Sequence, residues 1–411
     1  MIPCPTVLLA LLAAACSRPP VFITEPGPPL STTACASGTC IDDPAGEDVR
    51  NGWVNVAIGP DGAAWVVWAQ ADGPDVTGVW LARSPSPGAP LSEPVAVPVA
   101  VPPSVGTTEK PAIAVDAEGI ALAYTGLAPE RHGDARALYL QRGVPEGDAV
   151  AFSSARVIDR VLPDDPPDLV MEQARVATAP DGELWLLWKR QIYGEQDHVW
   201  VARGDEDFAP RLLSAELPTE HDCSPPDLRF GYGGELLVAV RGNIDGWLQT
   251  LAVRVDPATG AATVRQISDD DWHYDPDVCP EDGPRIAELA DGTLYAAWMA
   301  PAEGTWRLFS ATSADGEAWS TPGIDHAGDV GLGETWVAVA PTEAGPFYTA
   351  VEGLDQRTRL LVRDAPGDPA EEAWLVADDG SDVVDVEIAS SGGRTVAVGV
   401  GEGRVLWLID L

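Results

Sequence analysis

The chain has 411 residues and carries 64 acidic against 25 basic side chains, a formal net charge of −39. A field of that sign repels phosphate backbones and anionic membrane surfaces, so no nucleic-acid partner is expected. Length alone suggests two or three domains, but all-β folds run this long as single units, and length does not decide between them.

The first residues, "MIPCPTVLLALLAAAC", hold an apolar run from Val7 to Leu12, then small residues and Cys16. The run is too short to span a bilayer as a mature helix, and residues 1–15 read as an export signal. "LLAAAC" resembles the lipobox of bacterial lipoproteins, with Ala13 where that family usually has leucine and no Lys or Arg ahead of the run. The resemblance implies that Cys16 is acylated and becomes the mature N-terminus. The protein is then held in the bacterial cell envelope, at the outer membrane or surface, and touches the membrane only through its lipid. Residues 16–50 become a proline-containing tether. Cys35, Cys40, Cys223 and Cys279 remain, an even number suited to an oxidising compartment. The expected bridges are Cys35 with Cys40 and Cys223 with Cys279; the spacings match no usual zinc pattern.

From residue 51 to 411 one unit recurs: an apolar strand, a glycine turn and a second apolar strand. Its copies begin "VNVAIGPDGAAWVVWAQ", "PAIAVDAEGIALAYTG" and "ARVATAPDGELWLLWKR", then "DLRFGYGGELLVAVRG", "RIAELADGTLYAAWMA", "VAVAPTEAGPFYTAVEG" and "VEIASSGGRTVAVGVG". The turn glycines are Gly62, Gly119, Gly182, Gly234, Gly292, Gly345 and Gly393. Trp68, Trp188 and Trp298 each fall six residues after their glycine, so the alignment rests on more than turn chemistry. Third strands such as "HVWVARG" and weaker fourth strands such as "ARVIDRVL" follow. Seven copies of four short strands predict an all-β chain folded as a seven-bladed β-propeller of antiparallel blades. Closing the ring removes any end blade with an uncovered apolar face.

After Gly393 only 18 residues remain, enough for two strands but not for a blade's fourth. An N-terminal segment is therefore expected to complete the last blade, residues 31–37 in preference to 21–25.

Within the fifth repeat, "TSADGEAWSTP" places Ser313, Asp315, Gly316 and Trp319 between the third and fourth strands. The stretch resembles the Asp-box of the sialidase-like (BNR) propellers, Ser-x-Asp-x-Gly-x-x-Trp, shortened by one residue. The resemblance implies a structural turn on the face away from the active site, and it makes a six-bladed ring the alternative to seven. Sialidases clamp the substrate carboxylate with three arginines and use a tyrosine nucleophile, activated by glutamate, with an aspartate acid/base. "PRIAELADG" is similar to that family's Arg-Ile-Pro opening, which puts Arg285 in the arginine's place, without the proline and in the fifth repeat instead of the first. Arg175 and Arg229 lie in first strands nearby.

Loops that lead into each first strand, or join second to third, share one side of the disc. They hold all five histidines, His132, His198, His221, His273 and His326. The densest is "DDDWHYDPDVC", where Trp272, His273, Tyr274 and Asp275 stand beside Cys279. An aromatic pair with polar neighbours can stack on a sugar ring and bond its hydroxyls. The candidate ligand-binding set is these four residues with Arg285, Lys189, Arg190, Tyr193, Arg241 and His221. No phosphate loop, Gly-x-Ser-x-Gly elbow or His-Glu-x-x-His helix is present. No cofactor or metal is expected, calcium at "DDDWHYDPD" or "DDPPD" being the alternative although neither has EF-hand spacing. The expected protein is a monomeric binding module for a glycan or for an envelope or extracellular protein, with a sialidase-like exo-glycosidase as the alternative.

Overall fold

In the computed structural model the described residues are 30–31, 40–41 and 49–411, apart from 73–74, 106–108, 129–135, 148, 163–164, 166–168, 193–195, 214–218, 221–223, 246, 269–282, 303–304, 331–336, 344, 353–356, 377–381 and 402–405. They form seven sheets of four or five strands. The first strands are Val49–Ile58, Ala112–Asp116, Leu169–Thr178, Asp227–Phe230, Arg285–Glu288, Val337–Ala340 and Val384–Ser391. Each touches the next, and the last touches the first, so the sheets stand around an axis as a seven-bladed propeller. Among the described residues the one helical turn is Gly204–Glu206.

The continuous apolar runs of the second strands follow from this arrangement. A strand presents alternate side chains to opposite faces, and here each face meets a neighbouring blade. Trp65 packs towards blade two and Val66 towards blade seven. Likewise Trp185 faces blade four while Leu186 and Trp188 face blade two. The recurring Trp68, Trp188 and Trp298 all turn to the preceding blade and are at most 1% exposed. Such rings dominate the buried area of each interface. Glycine at the first hairpin answers a backbone demand, since Gly62 and Gly182 adopt φ of +77° and +90°.

Closure uses several contacts between blades seven and one. Arg394, 5% exposed, donates to the carbonyls of Gly62 and Ser84, to Ser84 Oγ and to Asp410. The fourth strand of blade seven comes from the N-terminal region, but neither candidate segment supplies it. Cys40–Ile41 pairs antiparallel with Leu406–Asp410, whereas Leu30–Ser31 runs parallel to Glu371–Val376 on the edge of blade six. The chain thus lays one short strand on each of two blades, a division that hydropathy alone does not encode.

At Ser313–Trp319, Ser313 Oγ accepts from Gly316 N at 2.8 Å, and Asp315 Oδ1 accepts from the Glu317 and Ala318 amides at 2.8 and 2.9 Å. Those amide donors hold the Asp315 carboxyl below its ordinary value. Trp319 then packs on the cluster between blades four and five, which explains why an acidic turn ends in a large ring.

Candidate functional site

The first strands line the axis, and their register brings unlike residues to one level. Asn55, Arg175, Asp227 and Arg285 each stand seven residues before a hairpin glycine, and Glu387 stands six before Gly393, where the turn is tighter. Together they make a polar ring across the first strands. All five line one cavity of about 710 Å³ that runs from this ring to the first hairpins, reaching Pro60, Ala117 and Pro180.

Three blades carry the same device just before the ring residue. Trp53, Gln173 and Asp385 have φ of 54°, 56° and 51°, and each sits two residues ahead of Asn55, Arg175 and Glu387. The ladder skips a step at each place, so these are β-bulges. A bulge re-aims the side chain that follows it, and left-handed non-glycine residues persist only when their surroundings hold them. Carboxylates do part of that holding here. Asp385 Oδ2 accepts from Val54 N at 3.1 Å, and Glu109 Oε1 from Gln173 N at 2.8 Å. Asp227 Oδ2 accepts from Ile286 N at 3.1 Å, so in each case a carboxylate of one blade grips the first strand of the next.

Charge at the ring is balanced, Arg175 and Arg285 against Asp227 and Glu387, in a molecule whose net charge is strongly negative. Lys110, 4% exposed, reaches from blade two to Glu387 in blade seven and lies 3.8 Å from Asp385. Arg285 Nη2 of blade five lies 3.7 Å from the same Glu387 oxygen. Burial pushes the Glu387 carboxyl up, but Lys110, Arg285 and Arg175 outweigh it and hold it at about 2. Burial and then the like charge of Arg285 bring Arg175 down to about 10, so it stays cationic at neutral pH. Arg175 is 9% exposed; it donates from Nη1 to Ala174 O, while its Nη2 has no hydrogen-bond partner among the described residues. Two guanidinium groups therefore converge on the cavity with one donor nitrogen unused. Arg229 lines the same cavity two residues nearer the hairpins, bonded through Nε to Asp227 at 3.2 Å.

Behind this layer Glu109, 7% exposed, accepts from Thr125 Oγ1 as well as Gln173 N. Burial, reinforced by Glu172, raises its carboxyl to about 7 against the pull of Arg136.

Of the sequence candidates, Arg285 belongs to this site and Arg175 joins it. Lys189 and Arg241, each 1% exposed, converge elsewhere, on Ser224: Lys189 donates to its carbonyl at 2.7 Å, Arg241 to its Oγ at 3.0 Å and to Met299 O. Arg190 is bidentate to Asp159 and stacks 4.0 Å over the Trp200 ring. Trp272, His273, Tyr274, Asp275, Tyr193, His221, Cys16, Cys35, Cys223 and Cys279 lie outside the described residues, and of Cys40 only the backbone is described. Lys110, Asp227, Asp385 and Glu387 were missed. Their signal was a charge in, or just ahead of, an apolar first strand, legible in "EKPAIAV", "DLRF" and "VVDVEIAS". Among the described residues no group of His, Cys, Asp and Glu is arranged to hold a metal ion.

Neither a protein-family model nor a curated protein matches the sequence. Solved structures do resemble the fold. The polysaccharide lyase Uly1 superposes with a TM-score of 0.59 at 11% identity, over 90% of this chain and 92% of that one. An ulvan lyase described as a new family of polysaccharide lyase, bound to GlcA(1-4)Rha3S, gives 0.57 at 12%, over 89% and 94%. A Hadza microbial sialidase gives 0.49 at 11%, over 88% of this chain and 66% of that one. At these identities the likeness to the two lyases is one of fold alone.

Proposed function

We propose that this is a lipid-anchored envelope propeller that binds an acidic glycan through the arginines of its central cavity. The observation that carries the reading is the pair Arg175 and Arg285, buried in the ring wall with Arg175 Nη2 unused. A buried donor without a partner costs about 1–3 kcal/mol, which a ligand carboxylate relieves when it binds. Three guanidinium groups, Arg175, Arg229 and Arg285, stand in the cavity wall of a chain of net charge −39 and offer an anionic group local partners among the wall's own carboxylates, while the outer surface repels polyanions at large. The fold neighbours named for a polysaccharide lyase and for an ulvan lyase bound to a GlcA-containing sugar agree with a glycan ligand.

Calorimetric titration with tetragalacturonate tests the reading. Wild type binds, and Arg175→Ala weakens binding by about tenfold or more with the fold intact by circular dichroism. Equal affinity of the two proteins sinks the arginine site. Trp272→Ala with Tyr274→Ala asks whether the long loop also contributes, as its aromatic pair suggests. Catalysis is the second reading, favoured by the convergence of two guanidinium groups. A fluorogenic sialoside turned over by wild type and not by Arg285→Ala supports it; no turnover removes it. The anchor is tested by detergent partitioning, with Cys16→Ala expected in the soluble fraction.

A further inference from the structure

The cavity has a direction. Lys110 of blade two meets Asp385 and Glu387 of blade seven, and Arg285 of blade five meets Glu387. These pairs join blades that are not neighbours, so they cross the lumen and close it at the level of the ring. Towards the hairpins the strands carry small side chains: Ala57, Ala177 and Ala389 stand two residues beyond Asn55, Arg175 and Glu387, and all three line the cavity. The passage runs on to Pro60, Ala117 and Pro180, which are exposed. In blade four the same level is held by Arg229, with its terminal nitrogens beyond the Nε bond to Asp227.

We propose that the anionic ligand enters the ring from the hairpin face, opposite to the long loops, as a slender chain end that passes Arg229 and stops with its carboxylate on Arg175 and Arg285. The inference rests on the acidic-glycan reading and gives that site its route. Arg229, cationic and part-way down, provides a first attachment before the buried pair is reached. Two carboxylates near the rim are paired, Asp61 with Arg83 at 2.7 Å and Asp116 with Arg142 at 2.8 Å, which limits the repulsion those two present to an incoming anion; Asp181 also lines the rim.

The test uses full-length protein and tetragalacturonate in stopped-flow binding. Ala117→Cys, on an exposed hairpin tip, is labelled after folding with a polyethylene glycol maleimide of several kilodaltons. Ser154→Cys, exposed on the outer edge of the same blade, is labelled as the positional control, and wild type treated with the reagent sets the baseline for native cysteines. The expected result is association slowed by about tenfold or more for the label at position 117, with the label at 154 indistinguishable from baseline. Unchanged association at 117, with Arg175→Ala still defective, overturns the hairpin-face route and leaves the arginine site standing. Absence of binding by unlabelled wild type overturns both.

Discussion

Replacing Glu387 by glutamine removes the carboxylate that Lys110, Arg285 and Arg175 surround and keeps its shape. The fold holds this carboxyl at about 2 against an ordinary 4.5, a gap that corresponds to about 3 kcal/mol of stabilisation at neutral pH. Because the folded value is depressed, that stabilisation is complete above the unfolded value near 4.5 and is lost as pH falls through about 2. The variant should therefore be less stable than wild type by about 3 kcal/mol at pH 7, in the range seen when one partner of a buried ion pair is removed. Near pH 3 the difference should shrink to about half. Urea unfolding followed by tryptophan fluorescence at the two pH values reads both numbers. An equal penalty at both, or one below about 1 kcal/mol at pH 7, would refute the assignment of Glu387 as the counter-ion of the ring.

Glu109 has the opposite sign. Its folded value is raised to about 7, so wild-type stability should fall as pH rises from 4.5 through 7, and Glu109→Gln should flatten that fall in thermal melts at pH 5 and 8. Gly316→Ala asks a side chain to adopt φ of +74° with its Cβ 2.4 Å from Arg254 Cδ; a loss of about 1–2 kcal/mol in the same unfolding assay is expected, with ligand affinity unchanged. Arg394→Ala leaves Asp410 and the Ser84 and Gly62 carbonyls without their shared donor, and a cost of about 3 kcal/mol or more by urea melt is expected if this clasp closes the ring.

Blade number and strand order were legible because each blade repeats the same physical demands. Glycine is needed at a left-handed turn, and apolar side chains are needed on both faces of strands that are buried on both faces. The closing strand was harder to place. Cys40–Ile41 and Leu30–Ser31 are two-residue strands, too short for an alternating pattern to mark them. Arg285 was found through a motif likeness, and its equivalence to Arg175 follows from counting back from Gly292 and Gly182. Glu387 escaped that count because its turn is one residue tighter, and Lys110 because it bonds two blades away, a relation set by ring geometry and absent from local sequence. The long loops drew attention through their histidines and aromatics, whereas the charge that defines the cavity is carried by strands.

The central claim is that a carboxylate, and no other part of a sugar, is what the buried arginines recognise. It is tested most directly by titrating wild-type protein with tetragalacturonate and with its methyl ester, which differ in charge and little in shape. The free acid should bind at least about tenfold more tightly, a preference of about 1.4 kcal/mol or more that vanishes in Arg175→Ala. Equal affinity for acid and ester would contradict it.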